Sequence, residues 1–241
     1  MSDRVSHGRS MSRRGARDSW PALILGFASW ICAPVVSAEE RQAWLAAFAS
    51  GPISSDSRVL GWIDAHARFR DDGETLDTVI LRPGIGWRVN ARLDVWAGYA
   101  RIEGRRAGRD LEEERAWQQA TYPLAEWAGG RLTGRTRLEQ RFRDTGDDTG
   151  WRLRQFLRYG RPFAGTDFGI VVSNEAFFGL NQADWGQRSG FDQNRALIGG
   201  YFQPRKSLRI EAGYLNQYIR VPGRTQDRAL HNLSLTVFLL R

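Results

Sequence analysis

The sequence predicts an all-β protein, a transmembrane antiparallel meander β-barrel of ten strands, with twelve as the alternative, preceded by a cleaved signal peptide. Three observations favour this fold. Apolar and polar residues alternate with a period of two over almost the whole chain beyond residue 56. The alternating segments are about ten residues long or slightly longer, which matches a tilted strand crossing a bilayer. The turns between them alternate between short and long, as in outer-membrane barrels.

The first 38 residues have the pattern of a secretory signal peptide. Five arginines precede an apolar run from Trp20 to Val36, and small residues follow before Glu39. A basic start, a short apolar run and small residues at the cleavage position are the three parts of such a signal. We expect cleavage after Ala38, with an uncleaved anchor helix as the alternative. The exported product is then a single outer-membrane β-barrel domain, 39–241.

Composition limits how the exported domain can be stabilised. Cys32 is the only cysteine and lies in the predicted signal peptide, so no disulfide is available in an oxidising compartment. Stability must therefore come from burial or from closure of the sheet. The net charge of +8 falls to about +5 after cleavage. That modest excess, and acids on the same strands as the arginines, give no reason to expect nucleic-acid binding.

Ten segments carry the alternation, and each has an apolar face opposite a polar one. The segment 112–122 is less regular than the others. In chain order, with part of the apolar face where it is clear, the segments are 57–70 (Ile63, Ala65), 78–89 (Val79, Leu81, Ile85), 92–102 (Leu93, Val95, Ala97), 112–122 (where Trp117 and Tyr122 stand among polar residues), 131–142 (Leu132, Leu138, Phe142), 151–161 (Leu153, Leu157), 167–178 (Phe168, Ile170, Val172), 193–202 (Ala196, Ile198), 207–218 (Leu208, Ile210) and 230–240 (Leu233, Leu235, Val237).

The N-terminal stretch 41–50 could form an eleventh strand. Both chain termini of a bacterial outer-membrane barrel are expected on the periplasmic side, which requires an even number of strands. Either 41–50 is not a full crossing or one further strand is present, and we predict ten strands with twelve as the alternative. The predicted short turns are Asn90-Ala91, 162–166 and 203–206, and the predicted longer connections are 103–112, 179–191 and 219–229.

Which side of each strand meets water separates two all-β folds. In a soluble barrel or sandwich the apolar face is the core, whereas in a membrane barrel it faces lipid and the polar face fills the interior. Aromatic residues near strand ends favour the membrane barrel, because aromatic rings accumulate at bilayer interfaces. These aromatics are Trp62, Trp87, Tyr99, Trp151, Tyr159, Phe168, Tyr214 and Tyr218.

A membrane barrel places rows of arginine in its interior. We predict an interior charge network formed by Asp64, Arg68, Arg82, Arg135, Arg137, Glu139, Arg141, Arg152, Arg154, Arg158, Glu175, Arg195, Arg209 and Glu211. Crowded like charges need counter-charges, for which we expect Glu139, Glu175, Glu211, Asp64 and Glu114. Such a lattice could be purely structural, or it could favour anions in a narrow pore. Ten strands leave little room for a wide channel.

An ordered series of short motifs runs through the exported domain. It comprises Leu81-Arg82-Pro83-Gly84-Ile85-Gly86-Trp87, Gly98-Tyr99, Glu114-Arg115-Ala116-Trp117-Gln118-Gln119, Arg137-Leu138-Glu139-Gln140-Arg141-Phe142, Arg152-Leu153-Arg154, Asn174-Glu175-Ala176-Phe177, Asp192-Gln193-Asn194-Arg195 and Gly213-Tyr214-Leu215-Asn216-Gln217. This series resembles the bacterial family catalogued as domain of unknown function 2490. The resemblance implies an outer-membrane β-barrel and implies no activity, substrate or catalytic residue.

Residues for catalysis are sparse. His66 and His231 are the histidines of the exported domain, and neither belongs to a nucleophile motif. The sequence therefore favours a non-enzymatic barrel, structural or a narrow anion-preferring pore. Two alternatives stay open, a lipid-modifying envelope enzyme using His66 or His231 and a soluble periplasmic β-barrel or sandwich binding protein. We expect no cofactor, no metal and no nucleic-acid partner. The expected partners are the lipid bilayer of the outer membrane and, during biogenesis, its assembly machinery, around a monomeric protein.

Overall fold

The computed structural model describes residues 40–105, 110–221 and 226–240. The predicted signal peptide lies outside these residues. The described strands are β1 (Glu40–Pro52), β2 (Val59–Arg70), β3 (Thr75–Asn90), β4 (Leu93–Gly104), β5 (Leu111–Trp127), β6 (Gly130–Arg143), β7 (Gly150–Pro162), β8 (Phe168–Gly179), β9 (Gly190–Arg205), β10 (Leu208–Ile219) and β11 (Arg228–Leu240). A single 3₁₀ turn, Asp71–Gly73, joins β2 to β3. No helix in the described ranges is long and apolar enough to span a bilayer.

The strands form one closed barrel in which each strand pairs antiparallel with its neighbour in the sequence. The pair that closes the barrel is the exception, because β1 and β11 run parallel. Their pairing extends from Glu40 opposite Leu230 to Ser50 opposite Leu240. The all-β barrel is thus confirmed, and the prediction of ten strands is wrong. An odd number of strands leaves the first and last running in the same direction, and a closed sheet must then contain one parallel pair. The segment 41–50 is a full strand, and the parity argument that excluded it did not allow for this closure.

The connections differ in length between the two ends of the barrel. Three of the five connections at one end, 91–92, 128–129 and 206–207, have two residues each, and this short-turn end also holds the C-terminal end of β11. The opposite, long-loop end carries the four-residue connection 71–74, the longer connections 105–110, 144–149, 180–189 and 220–227, and the start of β1. The predicted alternation of turn lengths is therefore present, with the chain entering β1 at the long-loop end.

Apolar side chains of the strands lie mainly on the outside of the barrel, and charged side chains lie inside. Ile63 is 48% exposed, Val95 37% and Leu235 41%, whereas Asp64, Arg137 and Glu139 are almost completely buried. Successive residues of a strand point to opposite faces. The alternation along β2 and β6 therefore explains both the exposed apolar side chains and the buried charged ones. The interior of this barrel is thus its polar side.

One wall of the interior is aromatic. Trp62, Trp96 and Trp117 pack with Leu60 and Ile80 in a buried cluster, and the rings of Trp62 and Trp117 are 5.8 Å apart. Trp62 therefore lies inside, and its predicted place in an outer aromatic girdle is wrong, because it shares the inward face of β2 with Asp64.

Two glycines make room for this aromatic wall. A Cβ on Gly84 or Gly98 would lie 2.6 or 2.3 Å from the Trp117 ring. The close approach of the Trp117 indole to β3 and β4 therefore requires glycine at both positions.

Candidate functional site

The charged interior is the candidate site, and alternation along β2, β3 and β5 to β10 builds it. On β6, Arg135, Arg137, Glu139 and Arg141 occupy every second position and point inward, while Phe142 is exposed outside. Every member of the predicted interior charge network is buried or half-buried in the barrel. Their side chains converge from seven different strands.

Glu139 is the centre of the network. It is fully buried, and Arg152 donates to its Oε2 from Nε at 3.0 Å and from Nη2 at 2.6 Å. Arg154 Nη1 donates to its Oε1 at 2.6 Å, and Arg115 Nη1 lies 3.7 Å from Oε2. A single carboxylate therefore joins guanidinium groups from β5 and β7, and charge-assisted hydrogen bonds of this kind are the strong ones.

Glu113, which sequence reasoning missed, is the second centre. Its carboxylate accepts hydrogen bonds from Nε of Arg115 and Nε of Arg141, each at 2.6 Å, and from Nε of Arg143 at 2.7 Å. The predicted counter-charge Glu114 instead points outward, 3.8 Å from Arg101, so that prediction is wrong. Glu113 alternates with Arg115 and Trp117 on the inward face of β5. This two-residue spacing is the sequence signal that could have identified Glu113, although the segment 112–122 is irregular.

Three further carboxylates, Glu175, Glu211 and Asp64, complete the lattice. Glu175 Oε1 accepts from Arg135 Nη2 at 2.7 Å and Arg154 Nη2 at 2.8 Å. Nearer the short-turn end, Arg158 Nη1 donates to Glu211 at 2.8 Å, and Nε of Arg209 lies 2.7 Å from the same carboxylate.

On the aromatic side, Asp64 binds Arg82 Nη1 at 2.9 Å. Its other donors are the indole N–H of Trp62 and the ring of His66, both at 3.0 Å. The aromatic wall is thus tied to the charged lattice through this carboxylate.

Arg137 fills the space between the lattice and the aromatic wall. It is fully buried, with its guanidinium 4.5 Å from the Trp117 ring centroid and 5.5 Å from that of Trp62. Its Nε donates to Gln119 at 2.8 Å. Within the described part of the chain, neither terminal nitrogen has a hydrogen-bond partner. Cation–π contacts thus supply much of the environment of this charge.

Two inward arginines have no carboxylate partner among the described residues. Arg68 packs over the Trp44 ring at 4.0 Å, and Arg195 lies 4.9 Å from the same ring and 4.7 Å from Phe177. Neither forms an ion pair within residues 40–105, 110–221 and 226–240, and the buried Nε of each lacks a hydrogen-bond partner there. Five buried carboxylates thus serve a larger number of arginines, and the interior carries surplus positive charge.

A cavity of about 360 Å³ opens toward the long-loop end. Arg68, Arg154 and Arg195 line it, together with Trp185 of the 180–189 loop. The Trp185 ring lies 4.4 Å from the guanidinium of Arg143.

Hydrogen bonds hold the 180–189 loop to the 144–149 loop. The Trp185 indole N–H donates to the backbone oxygen of Asp148 at 2.7 Å. The Asp184 carboxylate accepts the backbone N–H groups of Asp147 and Asp148 at 2.8 and 3.3 Å. The hydrogen bond from the Asp147 amide, followed by that from Asp148, lowers the pKa of Asp184 below its usual value.

The two histidines lie on opposite faces of the wall. His66 points inward and is held by Asp64, whereas His231 lies outside, where its Nδ1 pairs with the hydroxyl of Tyr214. His231 has Asn216 opposite it across the β10–β11 pair. Neither histidine forms a hydrogen bond with a serine in the described residues, and no group of three His, Cys, Asp or Glu side chains there could hold a metal ion.

Comparison with known proteins agrees with the resemblance of the sequence motifs. An uncharacterised protein of Methylorubrum extorquens is 35% identical over 208 residues, which cover 83% of this chain and 88% of that protein. The model of the family described as protein of unknown function DUF2490 matches residues 41–228. That match includes β2 to β10 and all of the charged interior described above. The chain therefore belongs to the DUF2490 family.

Proposed function

We propose that this protein is a small outer-membrane β-barrel, exported by its N-terminal signal, whose charged interior closes it against free diffusion. The observation that supports the membrane location is the reversal of faces, by which we mean that apolar side chains lie outside the barrel and charged side chains lie inside. Large apolar side chains such as Ile85, Ile198 and Leu233 are 58%, 62% and 72% exposed on the outside. Water makes such an apolar surface unfavourable, whereas acyl chains do not.

The dimensions of the barrel agree with this proposal. The shortest strands, β2, β4, β8 and β10, have 12 residues. At about 3.3 Å per residue and a tilt of about 40°, such a strand spans about 30 Å, the thickness of a hydrocarbon core. Closure of the sheet leaves no strand edge unpaired, which is a requirement for backbone surrounded by lipid.

Two groups of polar side chains on the outer surface bear on this proposal. Arg101 and three glutamates form a charged patch on β4 and β5 at the long-loop end, with Arg101 binding Glu103 at 2.8 Å and Glu112 at 2.9 Å. Nearer the middle, the amides of Asn174 and Asn194 donate to each other at 3.0 Å. Self-paired amides have their hydrogen bonds satisfied and cost little in an apolar surrounding. We therefore propose that the hydrocarbon belt lies toward the short-turn end.

The middle of the barrel favours a plugged interior over an open pore. Trp117, Arg137 and Glu139 are all fully buried where the lattice meets the aromatic wall. Any residual path runs between guanidinium groups, so that its conductance is small and anion-selective. We propose a monomer in the lipid bilayer, folded by the outer-membrane assembly machinery.

Fractionation and conductance test this function together. We expect the protein in the outer-membrane pellet, released only by detergent, with slower migration after heating on a gel as the barrel opens. In a planar bilayer we expect little or no conductance, with anions preferred in any openings. Release without detergent would support a soluble periplasmic barrel instead, and large or cation-selective openings would contradict a plugged, positively charged interior.

An enzyme that acts on lipid is a separate alternative, and the histidines test it. Since His66 is held inside by Asp64 and His231 lies outside beside Tyr214, they cannot act on one substrate. We expect H66Q/H231Q to leave phospholipid composition unchanged relative to the wild-type protein. A loss of modified lipid products in that variant would support the enzyme.

A further inference from the structure

The cavity at the long-loop end collects more positive charge than its carboxylates neutralise. Asp192 is the only acidic side chain that lines it within the described residues, and it lies 3.5 Å from Arg152. The interior carboxylates Glu113, Glu139 and Glu175 are already engaged by arginines at 2.6 to 2.7 Å.

Arg68 and Arg195 carry the surplus. Both rest on the same Trp44 ring, at 4.0 and 4.9 Å, and both line the cavity. Two guanidinium groups packed on one indole ring, neither in an ion pair among the described residues, repel each other, and a bound dianion would reduce that repulsion.

The position of these groups indicates a tetrahedral anion. Arginines reach the cavity from β2, β7 and β9, and a tetrahedral anion presents oxygens outside a single plane, whereas the two oxygens of a carboxylate lie in one plane. A phosphate group presents three oxygens and carries about −1.5 to −2 charges at neutral pH. Guanidinium groups are suited to phosphate, because their fixed forks donate two parallel hydrogen bonds.

We propose that this cavity binds a phosphate group, carried by a small phosphate ester or by a lipid headgroup. This inference rests on the proposed function, which describes a closed barrel with a charged interior, and it adds the chemical class of the ligand. Phe177 and Trp185 form apolar parts of the cavity wall and can contact the organic part of the ligand. A volume of about 360 Å³ lies at the lower end of the range for small-molecule sites.

Binding is measured on the exported domain refolded in a non-ionic maltoside detergent at constant ionic strength. The probes are inorganic phosphate, glycerol 3-phosphate and phosphatidic acid in mixed micelles, with chloride and acetate as controls, and tryptophan fluorescence is the signal. We expect a saturable change with phosphate and none with chloride or acetate. A lower midpoint for glycerol 3-phosphate than for phosphatidic acid assigns the ligand to soluble esters, and the reverse assigns it to lipid headgroups.

The variant R68Q/R195Q tests the site itself. We expect at least tenfold weaker phosphate binding, with R161Q, an exposed arginine at the short-turn end, as the matched control that binds normally. R68K/R195K keeps both charges and should retain part of the affinity, which guards against loss of folding in the first variant. Equal weakening by R161Q, or no saturation with any phosphate probe, would overturn the inference. Saturation by a protein that leaves the membrane pellet without detergent would instead preserve this inference and overturn the membrane proposal.

Discussion

Replacing Glu139 by glutamine removes the central negative charge of the interior and keeps the shape of the side chain. Two arginines then lose the carboxylate that accepts their hydrogen bonds at 2.6 Å, and Arg115 loses one 3.7 Å away. Breaking a buried ion pair from one side costs about 3–5 kcal/mol, because the remaining charge is left buried and unpaired. With a urea slope of about 2 kcal/mol per molar, the unfolding midpoint should fall by about 2 M.

The assay is equilibrium unfolding in urea of the protein refolded into detergent, followed by tryptophan fluorescence. Glu103→Gln is the matched control, because Glu103 pairs with Arg101 at 2.8 Å on the outer surface, where both side chains are exposed, and exposed pairs contribute little. Adding Arg152→Gln to Glu139→Gln should cost less than the sum of the two single changes, since it removes one of the stranded charges. Equal midpoints for the Glu139 and Glu103 variants would refute the interior lattice.

Two further predictions concern packing and pH. Gly98→Ala should destabilise the barrel by about 1–3 kcal/mol through overpacking, because its Cβ would lie 2.3 Å from the Trp117 ring. Gly61→Ala, whose nearest neighbour is 3.9 Å away, should be nearly neutral, and urea midpoints compare the two. Backbone hydrogen bonds lower the pKa of Asp184. Its carboxylate therefore stabilises the 144–149 loop at any pH above the unfolded pKa, and this stabilisation is lost as the pH falls through the folded pKa. Protease cleavage of that loop should therefore increase on acidification, and D184N should cleave readily at every pH.

Period-two alternation was enough to predict the barrel wall, because it depends on strand geometry alone. The predicted segment 131–142 lies within β6, Gly130–Arg143, and the predicted segment 207–218 differs from β10 by one residue at each end. The strand count could not be read in the same way. It depends on how β1 and β11 meet, and a parallel pairing between the two ends of the chain leaves no local mark on either segment.

The interior site was only partly predictable for a related reason. Parity places an arginine inside, but it does not say which carboxylate it meets across the lumen. Arg158 and Glu211 are 53 residues apart and in contact, and that pairing depends on barrel diameter and stagger. On β5, the inward face was assigned to the wrong set of alternate residues, so Glu114 was predicted inside in place of Glu113. The contact of Trp185 with Arg143 depends on loop packing, for which the sequence carries no periodic signal.

Single-cysteine labelling tests the reversal of faces most directly, since the exported domain has no cysteine of its own. Cysteines are placed one at a time at the outward positions Ile63, Val95 and Leu235, with Arg161 at the exposed short-turn end as the control, in the protein inserted in lipid vesicles. We predict that a water-soluble maleimide labels only the control position, whereas a lipid-soluble one labels the three apolar positions. Labelling of the three apolar positions by the water-soluble reagent at the rate of the control would contradict the account.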